Sequence, residues 1–312
     1  MSNLRDAVGL RIPYGNTPNF QTEFEPATGT IWGYMNPQDT PCFTLGLLKE
    51  IRAHDAKLQA DGGRVRIDGT SHPARYYVGA SRIPGVYNLG GDLALFMLLI
   101  KARDRDALAR YARMCIDNLH PRTQNYGSAT LTTITLVQGD ALGGGFECAL
   151  SSDVIVAEES APMGVPEILF NLFPGMGAYS LLARRIGPSA AEKLILSGRV
   201  LPAAKLYELG VVDVLAKDGE GELAVQEWIA NNAPRRNATQ GVFRARQLVH
   251  PITRAELDAI ADVWVEAALC LEERDIRMMS WLVSAQQRRM AAQHAGDGAA
   301  APGMSQPSTV AV

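Results

Sequence analysis

Several things are scarce in this 312-residue chain, and each scarcity removes a class of function. Cysteine is rare: Cys42, Cys115, Cys148 and Cys270 lie far apart with no C-x-x-C spacing, which argues against a zinc site or a disulfide framework and for a reducing compartment. The five histidines (His54, His72, His120, His250, His294) form no ligand pair, so no metal is expected. No apolar run approaches the roughly 18 residues that span a bilayer. The opening MSNLRDAVGLRIPYGN has no apolar secretory core, and a cytoplasmic location is expected. Positive charge is not in surplus; the net charge of −3 speaks against nucleic-acid binding. There is no G-x-S-x-G nucleophile elbow and no G-x-x-x-x-G-K-[ST] phosphate loop, and Gly175-Met176-Gly177 lacks the third glycine of a dinucleotide site. No internal repeat is visible.

What remains is a chain of ordinary composition, 47% hydrophobic and 20% charged, long enough to bury a large core. Residues 1–29, broken by Pro13, Gly15, Pro18, Pro26 and Gly29, read as an irregular or weakly paired N-terminal arm. TIWGYM at 30–35 is a strand, and PCFTLGLLKEIRAHDAKLQA at 41–60 has helical apolar spacing, stopped by Asp61-Gly62-Gly63. A polar loop follows, then a short strand at 74–81. Residues 90–119 read as a turn and a long, broken helical segment. Its part from 101 to 113 carries Lys101, Arg103, Arg105, Arg110 and Arg113, read as a solvated face and alternatively as a docking face for an anionic carrier. Strands at 131–137 and 153–159 alternate with helices, which implies βαβ units and a parallel sheet. Residues 253–290 are helical with an apolar stripe through Ile260, Trp264, Leu271, Met278, Leu282 and Val283, and the Ala/Gly/Pro/Ser-rich tail from 295 to 312 reads as disordered. The resulting organisation is an arm (1–29), a core (30–216), a helical region (217–294) and the tail.

The informative stretch is Gln138 to Glu167, QGDALGGGFECALSSDVIVAEESAPMGVPE. Three glycines, Gly143, Gly144 and Gly145, end a strand-like run, let the backbone turn sharply and come close to a ligand. A helix beginning there has first amides without internal partners, able to hold negative charge on a carbonyl oxygen. Glu147 follows the triplet, and Glu167 lies 167 − 147 = 20 residues later. Two carboxylates brought to one place supply a general acid and a general base.

G-x-A-L-G-G-G-x-E, then P-E-I-L and P-G-x-G, then NLFPGMGAYSLLARRIGPSAAEKLILSGRVLPAAKLYELGVVDVL at 171–215, resembles the core signature of the crotonase (enoyl-CoA hydratase/isomerase) superfamily. VYNLGGD at 86–92 is similar to that family's small-residue turn before an aspartate. The resemblance spans about residues 30 to 216. It implies an α/β crotonase (ClpP/crotonase-like) fold of repeated ββα units with a C-terminal helical region. It also implies an acyl-thioester site with no cofactor beyond the substrate's own acyl carrier protein or CoA. The thioester carbonyl would be held by the backbone amides of Gly91 and Gly144, with Glu147 and Glu167 as the catalytic pair, and which of the two is acid and which is base stays open. Gly91 is a mild departure, since many relatives carry alanine there.

The block Ser81 to Phe96, SRIPGVYNLGGDLALF, is similar to the enzymes that make diffusible signal factors, cis-2-unsaturated fatty acids used in bacterial cell–cell signalling. That resemblance implies dehydration of a 3-hydroxyacyl thioester of about twelve carbons on acyl carrier protein, then hydrolysis to the free acid. Met176, Trp264 and Leu282 would wall the acyl pocket, with Met279 beside them. It also implies a homo-oligomer, a trimer or hexamer. Two alternatives stand beside it: an enoyl-CoA hydratase or isomerase of fatty acid metabolism, which releases no free acid, and a regulatory partner of a sensor histidine kinase's receiver domain.

Overall fold

A computed structural model describes residues 9–37 and 39–284; the tail expected at 295–312 and the end of the expected helical region lie outside the described residues. Among the described residues there are thirteen strands: β1 (Ile12–Asn16), β2 (Phe20–Glu25), β3 (Thr30–Met35), β4 (Arg64–Ile67), β5 (Thr70–Pro73), β6 (Tyr76–Ser81), β7 (Val86–Asn88), β8 (Thr132–Val137), β9 (Asp140–Leu142), β10 (Val154–Glu158), β11 (Pro162–Gly164), β12 (Val200–Pro202) and β13 (Val214–Ala216). The helices are α1 (Leu45–Ala60), α2 (Leu93–Lys101), α3 (Arg105–Thr123), α4 (Gly144–Leu150), α5 (Ala178–Ile186), α6 (Pro188–Ser197), α7 (Ala203–Glu208), α8 (Gly221–Asn232), α9 (Arg236–Val249) and α10 (Arg254–Leu269). Residues 273–284 are helical as well.

The strands form a seven-stranded sheet in the order β1-β2-β3-β6-β8-β10-β13, a four-stranded sheet β12-β11-β9-β7, and the hairpin β4-β5. From β3 to β13 the large sheet is parallel. The repeating unit is visible in the connectivity. A long strand enters the large sheet, a short one enters the small sheet and a helix follows: β6-β7-α2, then β8-β9-α4, then β10-β11 with a 3-10 turn and α5. This is an α/β crotonase fold with a helical C-terminal region. β8 and β10 are buried along their whole length, as a parallel sheet covered on both faces requires.

Two expectations are corrected here. Residues 12–25 are not a weakly paired arm: β2 pairs with β3 in unbroken antiparallel register from Phe20↔Met35 to Glu25↔Thr30. The prolines that suggested irregularity sit at turns or on β1 at the sheet edge, where a missing amide is tolerated. The segment before residue 74, read as a polar loop, holds the β4-β5 hairpin, whose side chains are exposed on one face and carry too few apolar residues to signal.

Helix starts follow local chemistry. Thr44, Asp92, Asp104 and Thr253 cap α1, α2, α3 and α10 by accepting the amides of Leu47, Leu95, Ala107 and Glu256. The segment 90–119 is broken at Ala102-Arg103-Asp104, where Arg103 adopts φ 52. The C-terminal segment is likewise broken at 270–272, so the expected single stripe does not persist. Trp264 is buried, but Met278 is 42% exposed, and Met279 and Ile276 turn inward instead.

Apolar packing lies on both faces of the large sheet. On one face α8 covers Tyr76, Val78, Ile134 and Val156 through Val225 and Ile229. On the other the small sheet, α2–α7 and α10 enclose the larger cluster around Phe96, Phe146, Met163 and Trp264. The site lies within that second layer.

Candidate active site

β9 leads into the glycine triplet. Gly143 adopts φ 51, a region that an L side chain rarely enters, and a Cβ there would stand 2.5 Å from Glu167 Oε1. A Cβ on Gly145 would run into the carbonyl oxygen of Asn88. Gly143 and Gly145 are therefore required, one by its backbone conformation and the Glu167 carboxylate, the other by the Asn88 carbonyl. Gly144 opens α4, and its Cβ position lies 3.5 Å from Gly91 N, so the LGGD turn and the triplet face each other.

Neighbouring amides are occupied. Gly90 N donates to Asn88 Oδ1 (2.8 Å), Asp92 N to Tyr111 Oη (3.1 Å), Gly143 N to the Gly164 carbonyl (2.8 Å) and Glu147 N to the Gly143 carbonyl (3.0 Å). None of these bonds uses the amides of Gly91 or Gly144, and both residues line the cavity below. The glycine at 91 has a steric reason: a Cβ would meet the Phe96 ring at 2.6 Å.

Glu147 sits in the first turn of α4, 2% exposed. Its Oε1 accepts the amides of Met176 (2.9 Å) and Ala178 (3.0 Å), donated by the loop that starts α5. Burial pushes its carboxyl up to about 7, against the pull of those amides toward the ionised form. Glu167 is held by the 3-10 turn Pro166–Phe170, half-buried at the cavity wall, and its Oε2 meets no partner. Burial, with the Glu147 charge added, pushes it up to about 8. The two environments differ: the amides of the α5 loop favour charge on Glu147, whereas Glu167 has only its own backbone amide to set against burial and the Glu147 charge.

Both carboxylates and both glycines open onto one cavity of about 380 Å³. Met176, Trp264 and Leu282, expected as pocket walls, all line it, as do Phe43, Phe96 and Phe170. Trp264 packs on Gly175, where any Cβ would strike its ring, and on Phe96, with ring centroids 5.0 Å apart. Met279 is buried in the same apolar cluster without being among the lining residues.

Sequence reasoning missed the other end of the cavity, lined by Asp55, Tyr77, Asn118, Arg122 and Tyr126. A signal was present: Gly33 and Gly79, side by side in β3 and β6, let the Tyr77 ring and the Arg122 guanidinium lie close over the strands. Among the described residues, no group of three or more metal-binding side chains occurs, and no helix is long and apolar enough to cross a membrane.

The described cationic face is tied down in part. Arg105 pairs with Glu266 (2.6 Å) and Arg113 with Asp262 (2.8 Å), both on α10, so these two arginines join helices within the chain.

The two carboxylates and the two glycines thus line one cavity on this two-sheet scaffold. The fold is the crotonase fold, and residues 102–243 are similar to the family model described as enoyl-CoA hydratase/isomerase. The chain is 30% identical over 190 residues to human mitochondrial methylglutaconyl-CoA hydratase, covering 60% of this chain and 53% of that protein. It thus spans about half the length of the curated relatives it matches. Among solved structures, Pseudomonas aeruginosa DspI superposes with a TM-score of 0.62 at 24% identity, covering 76% of this chain and 83% of that one. Human mitochondrial delta3-delta2-enoyl-CoA isomerase gives 0.70 at 18% identity, covering 87% and 99%.

Proposed function

We propose that the protein is a diffusible-signal-factor synthase: it dehydrates a 3-hydroxyacyl thioester carried on acyl carrier protein and then hydrolyses the thioester to a free cis-2-unsaturated acid. The observation that carries this reading is the carboxylate pair, with Glu147 pushed to about 7 under the amides of Met176 and Ala178 and Glu167 to about 8 beside the Glu147 charge. Between those values the site begins with one carboxylate and one carboxylic acid, which is what elimination of water demands.

In the first step the carboxylate removes a C2 proton, and the electrons move onto the thioester oxygen, held by the Gly91 and Gly144 amides. The carboxylic acid then gives its proton to the 3-hydroxyl. The C3–O bond breaks, C2=C3 forms and water departs. In the second step a water, deprotonated by a carboxylate, attacks the same carbonyl carbon. The C–S bond breaks, and the carrier thiol leaves with the proton. Both steps place negative charge on one oxygen, so a single pair of amides serves both.

The apolar walls around Phe96, Met176 and Trp264 support an acyl chain as the bound group. The Ser81–Phe96 block supports the signal-synthase branch. A second reading, an enoyl-CoA hydratase that keeps its product on the thioester, is favoured by the family model over 102–243 and by the curated relatives' names. The reading places the protein in the cytoplasm as a homo-oligomer, a trimer or hexamer, with acyl carrier protein as its transient partner and a sensor kinase receiver domain as a regulatory one. Product analysis after turnover of a 3-hydroxyacyl carrier-protein thioester separates the two readings: free cis-2-enoic acid supports synthesis of the signal, and a trans-2-enoyl group still on its thioester contradicts it.

A further inference from the structure

Charge is unevenly spread over this chain. Residues 101–113 carry five cations, Lys101, Arg103, Arg105, Arg110 and Arg113, against Asp104 and Asp106, a local surplus of +3 (5 − 2) where the whole chain has −3. Part of this charge is committed internally. Asp104 caps α3, and Arg105 and Arg113 are drawn to Glu266 and Asp262 of α10. Lys101, Arg103 and Arg110 are exposed, and their side chains find no hydrogen-bond or ion-pair partner among the described residues.

Beside these three cations lies an apolar surface. α2 turns Phe96 and Ile100 inward, and its Leu93 and Phe96 line the catalytic cavity. Its opposite face, Ala94, Leu98 and Lys101, stands in solvent at helical spacing, with Leu98 65% exposed. At the junction Arg103 takes φ 52, a conformation uncommon for a residue with a side chain, and α3 doubles back so that the Phe96 and Tyr111 rings meet with centroids 4.9 Å apart. The α2-α3 hairpin thus presents an exposed leucine, Lys101 and Arg103 directly beyond it, and Arg110 on the outer side of α3.

The position of this patch relative to the site is set by α2. The helix begins two residues after Gly91, and its nine residues rise about 14 Å. The reacting carbonyl and the patch therefore lie toward opposite ends of one short helix, a span within reach of a pantetheine arm. Free CoA would bring phosphates to the cations and nothing apolar to Leu98. A lipid surface would meet both but delivers no thioester. A carrier protein with an acidic, partly apolar face matches the leucine and the cations together and arrives with the arm attached.

We propose that Leu98, Lys101, Arg103 and Arg110 form the docking surface for an acidic acyl carrier protein, which feeds its arm along α2 to the carboxylates. This rests on the acyl-thioester reading of the cavity and adds where the carrier sits.

Fluorescence anisotropy of labelled holo-acyl carrier protein tests it by binding, without turnover. Lys101→Glu/Arg103→Glu/Arg110→Glu should weaken binding about tenfold or more, and Leu98→Ser several-fold. Added salt should weaken the wild type and barely affect the triple variant. Arg66→Glu, the same change on the exposed face of the β4-β5 hairpin away from the cavity, should bind as the wild type does. Wild-type binding by the triple variant, an equal loss in Arg66→Glu, or a wild type that turns over a CoA thioester and does not bind the carrier overturns the proposal. The two readings fail separately. Carrier binding lost in the triple variant, with no free acid released by the wild type, keeps the docking surface and sinks the proposed reaction. Free acid released equally by both from the carrier thioester sinks the docking surface alone.

Discussion

The two ends of the cavity are built by opposite means. At the carboxylate end the working groups come from three sharp turns: LGGD, the glycine triplet and the Pro166–Phe170 turn, held by backbone packing as tight as Gly143 against Glu167. Elsewhere on the cavity wall, polar side chains come from two long helices, Asp55 from α1 and Asn118 and Arg122 from α3, packed over Gly33 and Gly79 of β3 and β6. Turns place amides and short side chains within fractions of an ångström, which charge development on a reacting oxygen needs. Helix faces place longer side chains along a wall, which suits reading the length of a chain. One end should therefore control rate and the other selectivity.

The largest effect that separates the ends is loss of the carboxylates. Glu147→Gln or Glu167→Gln should lower kcat by about 10²–10⁴-fold, while fatty-acid binding changes little. Stopped product formation checks the first and calorimetry the second. A drop in binding as large as the drop in rate would break the division.

Next comes the amide pair. Gly91→Ala drives a Cβ into Phe96 and displaces a donor. Losing a comparable donor costs about 2.7–4 kcal/mol of transition-state stabilisation. Phe96→Leu in the same chain should restore part of the rate if the clash is the cause. Steady-state kinetics of the single and double variants decide it.

The pH dependence is third. Below about 7 both glutamates are protonated and no base exists; above about 8 both are ionised and no acid exists. The rate should peak between those values, and Glu167→Gln should remove the alkaline limb from whatever activity survives. Stability moves with a definite sign. Both folded carboxyls titrate above their unfolded value of 4.5, so their contribution is fully present below pH 4.5 and is lost as pH rises through about 7 and 8. Glu167→Gln should therefore stabilise the fold at pH 9 relative to pH 4, by up to roughly 3–5 kcal/mol in urea titrations at the two pH values.

At the wall between the ends, Trp264→Ala should cost about 3–5 kcal/mol of stability, because the ring fills the space over Gly175 and beside Phe96. It should also shift the preferred chain length. A variant with unchanged length preference refutes its role as a wall. The smallest effect belongs to the surface: a double-mutant cycle on Arg113 and Asp262 should return no more than about 1 kcal/mol.

The same contrast explains what could be read in the sequence. The turn-built end is local. Gly143, Gly144 and Glu147 lie within five residues of one another, Gly91 sits in its own short motif, and Glu167 opens the next turn, so composition and spacing expose all of them. The polar part of the wall formed by Asp55, Asn118 and Arg122 is not local. Asp55 and Arg122 are 67 residues apart (122 − 55), and in sequence each looks like one more charge on an amphipathic helix. Only the facing glycines of β3 and β6 hinted at the close packing there. β1 and β2 were hidden for a related reason: the prolines and glycines in and around them read as punctuation, while β2 is ordered by pairing with β3 and β1 by pairing with β2. The stripe after residue 253 failed at the break at 270–272, which resets the helical phase so that Met279, not Met278, faces the core.

The most direct test of the account is mass spectrometry of what purified protein releases from a 3-hydroxydodecanoyl carrier-protein thioester. Free cis-2-enoic acid is the predicted result. A trans-2-enoyl product that stays on the thioester would contradict the account.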